Sequence, residues 1–300
     1  MNPQLSVVIV TYRSEKHIGP CLDVLRKAND IGQGLEILVV DNEREGFGER
    51  KKHLEEGYPA LGVKCIPNTK NGGYGQGNNV GIRHAGAPLV LIMNPDVRLT
   101  GTTTGRICEA FERDKCLAVL GMRQELGNGA KGRSFLWAPG LPPGWLGSSL
   151  LWFSNRFGFF FPRWECIQGS CFALRKSVFE KAGMFDEDVF MYGEERDIHH
   201  RIRAMGNVRI ACNWTMSYRH LTDVRKPDPR NSEKQWIVAA NWCERNGIGA
   251  QRYWHARHKH LRAVLAVARL KAMGRKSQAV KTLEKQLELL SGHLSAGEKE

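Results

Sequence analysis

The sequence predicts an α/β fold, a mainly parallel sheet with helices on both faces, and three observations carry that reading. Apolar, β-branched runs of strand length recur at 5–12, 35–42, 63–68 and 88–96, segments of helical spacing lie between them, and polar residues stand at the strand ends. "LSVVIVTY" opens the series as a buried strand. In "KHIGPCLDVLRKA" the residues Ile18, Cys21, Leu22 and Leu25 fall on one helical face, and "LEILVVDN" supplies a second strand, giving a βαβ unit. "VKCIPN" makes the third strand. "GQGNNVGIRHA", residues 75–85, reads as a helix with Asn78 and Asn79 in its opening turn, and "PLVLIMNPD" as the fourth strand. Such sheets bind ligands at the C-terminal ends of their strands. Those ends carry Thr11 and Tyr12, then Asp41 and Asn42, then Asn94 and Asp96.

Composition narrows the partners. The chain has 300 residues, 42% of them hydrophobic, enough to bury the core of one large domain or two modest ones. No apolar run reaches the roughly 20 residues of a spanning helix, and the first strand lacks a basic leader, so a cytoplasmic location is expected. The eight cysteines contain no C-x-x-C pair and read as reduced thiols, which excludes a disulfide framework or a zinc knuckle. A net charge of +13 favours an acidic partner. Between Arg245 and Leu283 there is no Asp or Glu, while Arg252, Arg257, Lys259, Arg262, Arg269, Lys271, Arg275 and Lys276 interleave with Trp254, Leu261, Val264, Leu265, Ala268 and Leu270. This basic amphipathic segment suits an anionic membrane surface, and equally a helix packed on the main domain with a solvated basic face. No recognition helix, finger or RNA-binding signature accompanies the charge, so nucleic acid is not expected.

"NGGYGQGNN" lacks the G-x-G-x-x-G spacing of a dinucleotide fold, but its glycines, Gly72 and Gly73 among them, let backbone approach a phosphate or sugar closely. Residues 141–164, "LPPGWLGSSLLWFSNRFGFFFPRW", are too short and too broken by Pro and Gly to span a bilayer. Their aromatics suit a lipid-linked acceptor, a membrane surface or a buried excursion of the core.

Taken together, "SVVIVTYRSEKHIGPCLDVL", "ILVVDNE", "NGGYGQGNNVGI", "LIMNPDV", "GSCFALRKSVFEKAGMFDE" and "FMYGEERDIHHRIRAMG" resemble glycosyltransferase family 2, in order and rough spacing, over about residues 4 to 222. They look most like the rhamnosyltransferase-type enzymes of bacterial surface polysaccharide (cell wall or lipopolysaccharide) synthesis. The resemblance implies a GT-A fold at 1–225, with a nucleotide-binding half at 1–100 and an acceptor and catalytic half at 101–225, followed by a basic helical extension at 226–300. It implies an inverting, metal-dependent transferase moving a sugar, with rhamnose from dTDP-rhamnose as the best guess, to a glycan or lipid-linked acceptor at the inner face of the membrane. A UDP-hexose donor, or a scaffold that binds nucleotide sugars without turnover, are the alternatives.

The site residues follow from the same resemblance. "NPD" lies where the family has its Asp-x-Asp metal motif, so Asp96 would hold Mg2+ or Mn2+ with Asn94 in place of the first carboxylate, and His220 would stand near the metal. Thr11, Tyr12, Asn42, Gly72, Gly73, Asn78 and Asn94 would border the nucleotide sugar, and Asp41 would accept the imide N–H of thymine or uracil. "YGEERDIHHRIRAMG" reads as a helix whose apolar stripe is Ile198, Ile202 and Met205, with Glu194 and Glu195 at its N-terminal turn. The family pattern lays the base on Glu195, with Glu194 or Asp197 as competitors, and the helix N-terminus is expected to keep the carboxylate ionised. An i,i+4 pair with Arg201 is the preferred reading of Asp197.

Overall fold

The strands β1 (Leu5–Thr11), β2 (Leu35–Asp41), β3 (Val63–Pro67) and β4 (Leu89–Met93) form four adjacent parallel strands in the order β3-β2-β1-β4. The side chains of β1, β2 and β4 are mostly buried on both faces, as their Val, Ile and Leu runs require, whereas the edge strand β3 exposes Lys64 and Pro67. Between them lie α1 (Glu15–Ala28), α2 (Phe47–Gly57) and α3 (Gly73–His84). The sheet continues through β5 (Val97–Thr100), β6 (Leu117–Leu126), β9 (Cys171–Arg175) and β10 (Arg209–His220) to eight strands, β3-β2-β1-β4-β9-β6-β10-β5. Here β9 runs antiparallel between β4 and β6. The remaining elements of this region are α4 (Thr104–Arg113), β7 (Phe135–Trp137), α5 (Trp145–Phe157), β8 (Glu165–Ile167), α6 (Lys176–Lys181) and α7 (Glu194–Ala204).

This computed structural model describes residues 2–68, 70–138, 140–221, 229–272 and 277–297, so Arg275, Lys276 and the expected boundary at 225 lie outside the described residues. The chain falls into two compact units, Met1–Leu136 with Phe153–Asp223, and Trp137–Trp152 with Val224–Glu300. The second holds the first part of α5, as far as Trp152, with α8 (Pro229–Arg245), α9 (Ala250–Ala272) and α10 (Gln278–Gly297).

Two expectations change. α3 starts at Gly73, so Asn78 and Asn79 sit buried in its second turn and do not open it. The start is fixed because the Phe190 carbonyl accepts the Tyr74 N–H at 3.1 Å and lies where a Cβ at Gly73, at φ +88°, would stand. Glycines further along let this helix press on β1, and a Cβ at Gly77 would stand 2.7 Å from Val10. The second change concerns the tail. Trp254 and Leu261 pack with Trp236, Trp242, Tyr253 and Leu290 in a core of the three C-terminal helices, and Leu265 is buried too. They are not free to enter a bilayer, because the apolar stripe of α9 is covered by its own neighbours; Val264, Val267 and Leu270 stay exposed. Among the described residues no helix is long and apolar enough to cross a membrane.

Candidate active site

Three groups of polar side chains stand at the C-terminal ends of the strands in the first unit. The first follows β1 and β2. Thr11 and Asp41 line a cavity of 280 Å³ with Arg13, Phe47, Arg50 and His53. Asp41 is buried, its Oδ2 accepting from Arg50 Nε at 2.8 Å and its Oδ1 from the Glu43 N–H at 2.9 Å. The other two arms of Arg50 reach the carbonyls of Glu45 and Glu43, both at 2.6 Å, so one guanidinium ties the carboxylate to the loop beyond it. Tyr12 is half exposed. Asn42 is buried in an amide network, donating to Asn71 and to the Gly73 carbonyl and accepting from Asn68 at 2.7 Å. Asn78 donates to the Tyr74 carbonyl, and its Oδ1 finds no hydrogen bond among the described residues. Asn42, Gly72, Gly73, Asn78 and Asn94 do not line the cavity.

The second group follows β4. After Met93 the chain turns through Asn94-Pro95-Asp96, with the Val97 N–H donating to the Asn94 carbonyl at 3.1 Å, and then pairs as β5 with the last residues of β10. That antiparallel register sets His220 opposite Val97, and the Leu221 N–H donates to the Asp96 carbonyl. His220 Nε2 lies 3.4 Å from Asp96 Oδ1, both side chains largely buried. Arg98 braces the turn by donating to the Pro95, Val97 and His17 carbonyls. A divalent cation, which the resemblance implies, finds here a carboxylate and an imidazole. Among the described residues no group of three or more His, Cys, Asp or Glu is arranged to hold a metal ion. Two protein donors fit such an ion only in part, since it takes about six ligands, and oxygens of a bound diphosphate would complete the set.

The third group opens α7, whose entry is forced by Tyr192 at φ +78° and Gly193 at φ +99°. Glu194 is buried against Gly75 of α3, with Oε1 making no hydrogen bond among the described residues. Glu195 is half-buried and lies on Gly169, where any Cβ would collide with its carboxylate. Burial and then the Glu195 charge push Glu194 up to about 8, and burial raises Glu195 as well. At Glu194 desolvation therefore outweighs the helix N-terminus, and that carboxyl keeps its proton where an ionised group was expected. Asp197 pairs with Arg201 at 2.9 Å. Buried His199 is held neutral, pushed down to about 3 by burial, and its Nδ1 donates to the Glu195 carbonyl while Nε2 accepts the Ile167 N–H.

The peptide Gly169–Ser170 joins the second group to the third. The Ser170 carbonyl accepts the Asn94 N–H at 2.9 Å, and Gly169 touches Glu195 and accepts from the Tyr74 hydroxyl. Arg50, Arg98, Tyr74 and Gly169 escaped the sequence reading. Only Gly169, in "QGS" before a strand, carried a local signal; Arg50 stands among nine charged residues in "DNEREGFGERKKHLEE".

The sequence profile of glycosyl transferase family 2 matches residues 6–183, more than half of the chain. The chain belongs to that family. This family 2 chain is 28% identical over 235 residues to the N-acetylglucosaminyl-diphospho-decaprenol L-rhamnosyltransferase of Mycobacterium tuberculosis (strain CDC 1551 / Oshkosh), across 69% of this chain and 72% of the relative. It is 26% identical over 218 residues to the low-salt glycan biosynthesis hexosyltransferase Agl10 of Haloferax volcanii, across 68% of this chain and 62% of that protein, so it spans less than two thirds of that relative. The mannosyltransferase PcManGT from Pyrobaculum calidifontis, solved with GDP-Man and Mn2+, matches with a TM-score of 0.62 at 16% identity, over 97% of this chain and 85% of that one. The family 2 chain thus has the α/β GT-A fold.

Proposed function

We propose that this chain is an inverting, metal-dependent glycosyltransferase that moves a hexose, with rhamnose from dTDP-rhamnose as the first candidate, to a hydroxyl of a lipid-linked or growing surface glycan. The observation that carries this reading is the Gly169–Ser170 peptide, which ties the Asp96 turn and the Glu195 carboxylate to one short stretch of backbone. The named activity of the mycobacterial relative supports the sugar and the lipid-linked acceptor.

Asp41 accepts the imide N–H of thymine or uracil through a lone pair that Arg50 and Glu43 leave open, at the edge of the cavity it lines. Asp96 and His220 are the residues that would hold a divalent cation together with diphosphate oxygens, and such an ion supplies charge neutralisation for the leaving group. Glu195 is the base. As the acceptor oxygen attacks the anomeric carbon and the bond to the diphosphate breaks, the hydroxyl proton passes to Glu195. Glu194 is the poorer candidate because it is buried against Gly75 of α3 and retains its proton to about 8. The enzyme works at the inner face of the plasma membrane, where a lipid-linked acceptor is held.

A panel of nucleotide sugars, with and without Mn2+, tests this reading through release of nucleoside diphosphate. The expected result is turnover of dTDP-rhamnose only with metal. Preference for a UDP-hexose would move the sugar assignment and keep the reaction; the Haloferax relative is named a hexosyltransferase. Tight nucleotide-sugar binding without release under any condition would make the chain a scaffold.

A further inference from the structure

Helix α5 and the segment after it are turned inside out. Ser154 is fully buried and bonds the buried Glu165 carboxylate, and the Asn155 carboxamide exchanges hydrogen bonds with the Phe135 backbone at 3.0 and 3.2 Å. The aromatic residues beside them face outward: Phe153, Phe157, Phe159, Phe161 and Trp164 are 39, 50, 57, 36 and 42% exposed. Exposed large apolar residues set beside buried polar ones mark a surface built for something other than water. Phe153 stacks on Phe159 at 5.6 Å and meets Phe157 at 4.9 Å, so these three rings form one patch.

The charge of the patch indicates its occupant. Arg156 lies over the Phe157 ring and Arg163 over Trp164, at 5.3 and 5.4 Å, and from Lys131 to Trp164 the sequence holds four basic residues and no acidic one. Aromatic rings with arginine at their edges match the boundary between acyl chains and anionic headgroups, where rings enter and guanidinium groups stay with phosphate. A protein partner would need no such uniform charge. We propose that Phe153–Trp164 is a membrane-docking surface for an anionic lipid bilayer, entering the interface without crossing it. This deepens the membrane-side reading above, and its test requires no turnover.

Sedimentation of the full chain with vesicles of phosphatidylcholine alone, or of phosphatidylcholine with phosphatidylglycerol, reads the surface. Binding is expected to the mixed vesicles, with a blue shift of tryptophan emission, and to fall about tenfold or more in the double variant Phe157→Ser/Phe159→Ser. Arg156→Gln/Arg163→Gln should weaken binding and reduce its salt dependence. The aromatic variant should keep wild-type donor hydrolysis in solution, which shows that it folds. Wild-type protein left in the supernatant with both vesicle types overturns the proposal and points to a protein partner. Equal binding by wild type and the aromatic variant overturns it too, and shifts the contact to the basic face of α9. If vesicles bind but no nucleotide sugar is hydrolysed, the catalytic reading fails and the docking surface stands.

Discussion

Asp96 and the Glu194–Glu195 pair use the same functional group to opposite ends. Asp96 faces an imidazole, in a turn held by Arg98 and by the edge pairing of β5 with β10. The glutamates stand side by side in the first turn of a helix, where burial and the Glu195 charge raise Glu194 and burial raises Glu195. A carboxylate beside a potential cation partner attracts positive charge, whereas a carboxylate beside another carboxylate holds a proton and can exchange it. The difference comes from the neighbours each backbone brings, since both sites lie within reach of one peptide.

The largest effect should come from Asp96→Ala, which leaves His220 without its carboxylate. Transfer is expected to vanish, and calorimetric titration with nucleotide sugar should show affinity lost mainly when Mn2+ is present. Wild-type turnover in this variant would detach Asp96 from the metal role. Glu195→Gln should come next, losing roughly 10²–10⁴ in rate while donor affinity stays unchanged. If Glu194→Gln showed that loss and Glu195→Gln did not, the roles within the pair would be reversed.

Glu194→Gln should act chiefly on stability. With its folded pKa raised to about 8, Glu194 keeps the folded protein more protonated than the unfolded chain from its ordinary carboxylate range up to that value, so wild-type stability falls as pH rises through this window. The glutamine variant lacks that slope, and its melting temperature relative to wild type should rise from pH 5 to pH 9. A constant difference across that range would show that the glutamate is not held protonated. The smallest effect belongs to Arg50→Gln, which loosens a third carboxylate, Asp41, from a partly exposed partner. A rise of a few-fold in donor KM with unchanged kcat is expected, about 1 kcal/mol or less. A fall in kcat instead would place Arg50 nearer the chemistry than the nucleotide.

Much of this arrangement was legible in the sequence because it is local. β1, β2 and β4 announce themselves as apolar runs, and the positions after them hold Asp41 and Asp96 wherever the strands lie. The Asp197–Arg201 pair follows from helical spacing alone. What was not legible depends on distant partners. "VRLT" is a strand only because β10 returns beside it, and that pairing brings His220 to Asp96. The titration of Glu194 depends on being packed under Gly75, which no spacing reveals. Periodicity found the apolar stripe of α9 but not what covers it, so lipid and a packed helix stood equal for Trp254 until its neighbours were known, and composition alone left the rings of 141–164 between a surface and a buried excursion. A stripe states that a face is buried, and the tertiary fold decides against what.

The place of β9 in the sheet sets a timetable for synthesis. Residues 171–175 lie between β4 and β6, antiparallel to both, so the edge of β4 has no neighbour until they have been made. A nascent chain that has released only its first hundred residues presents four parallel strands ending in an open, wholly apolar edge, the kind of edge that pairs with other chains. The first hundred residues therefore cannot mature ahead of the rest. Fragments that stop short of Arg175 should accumulate as aggregates, while those that continue past His220 carry the strands that close the sheet.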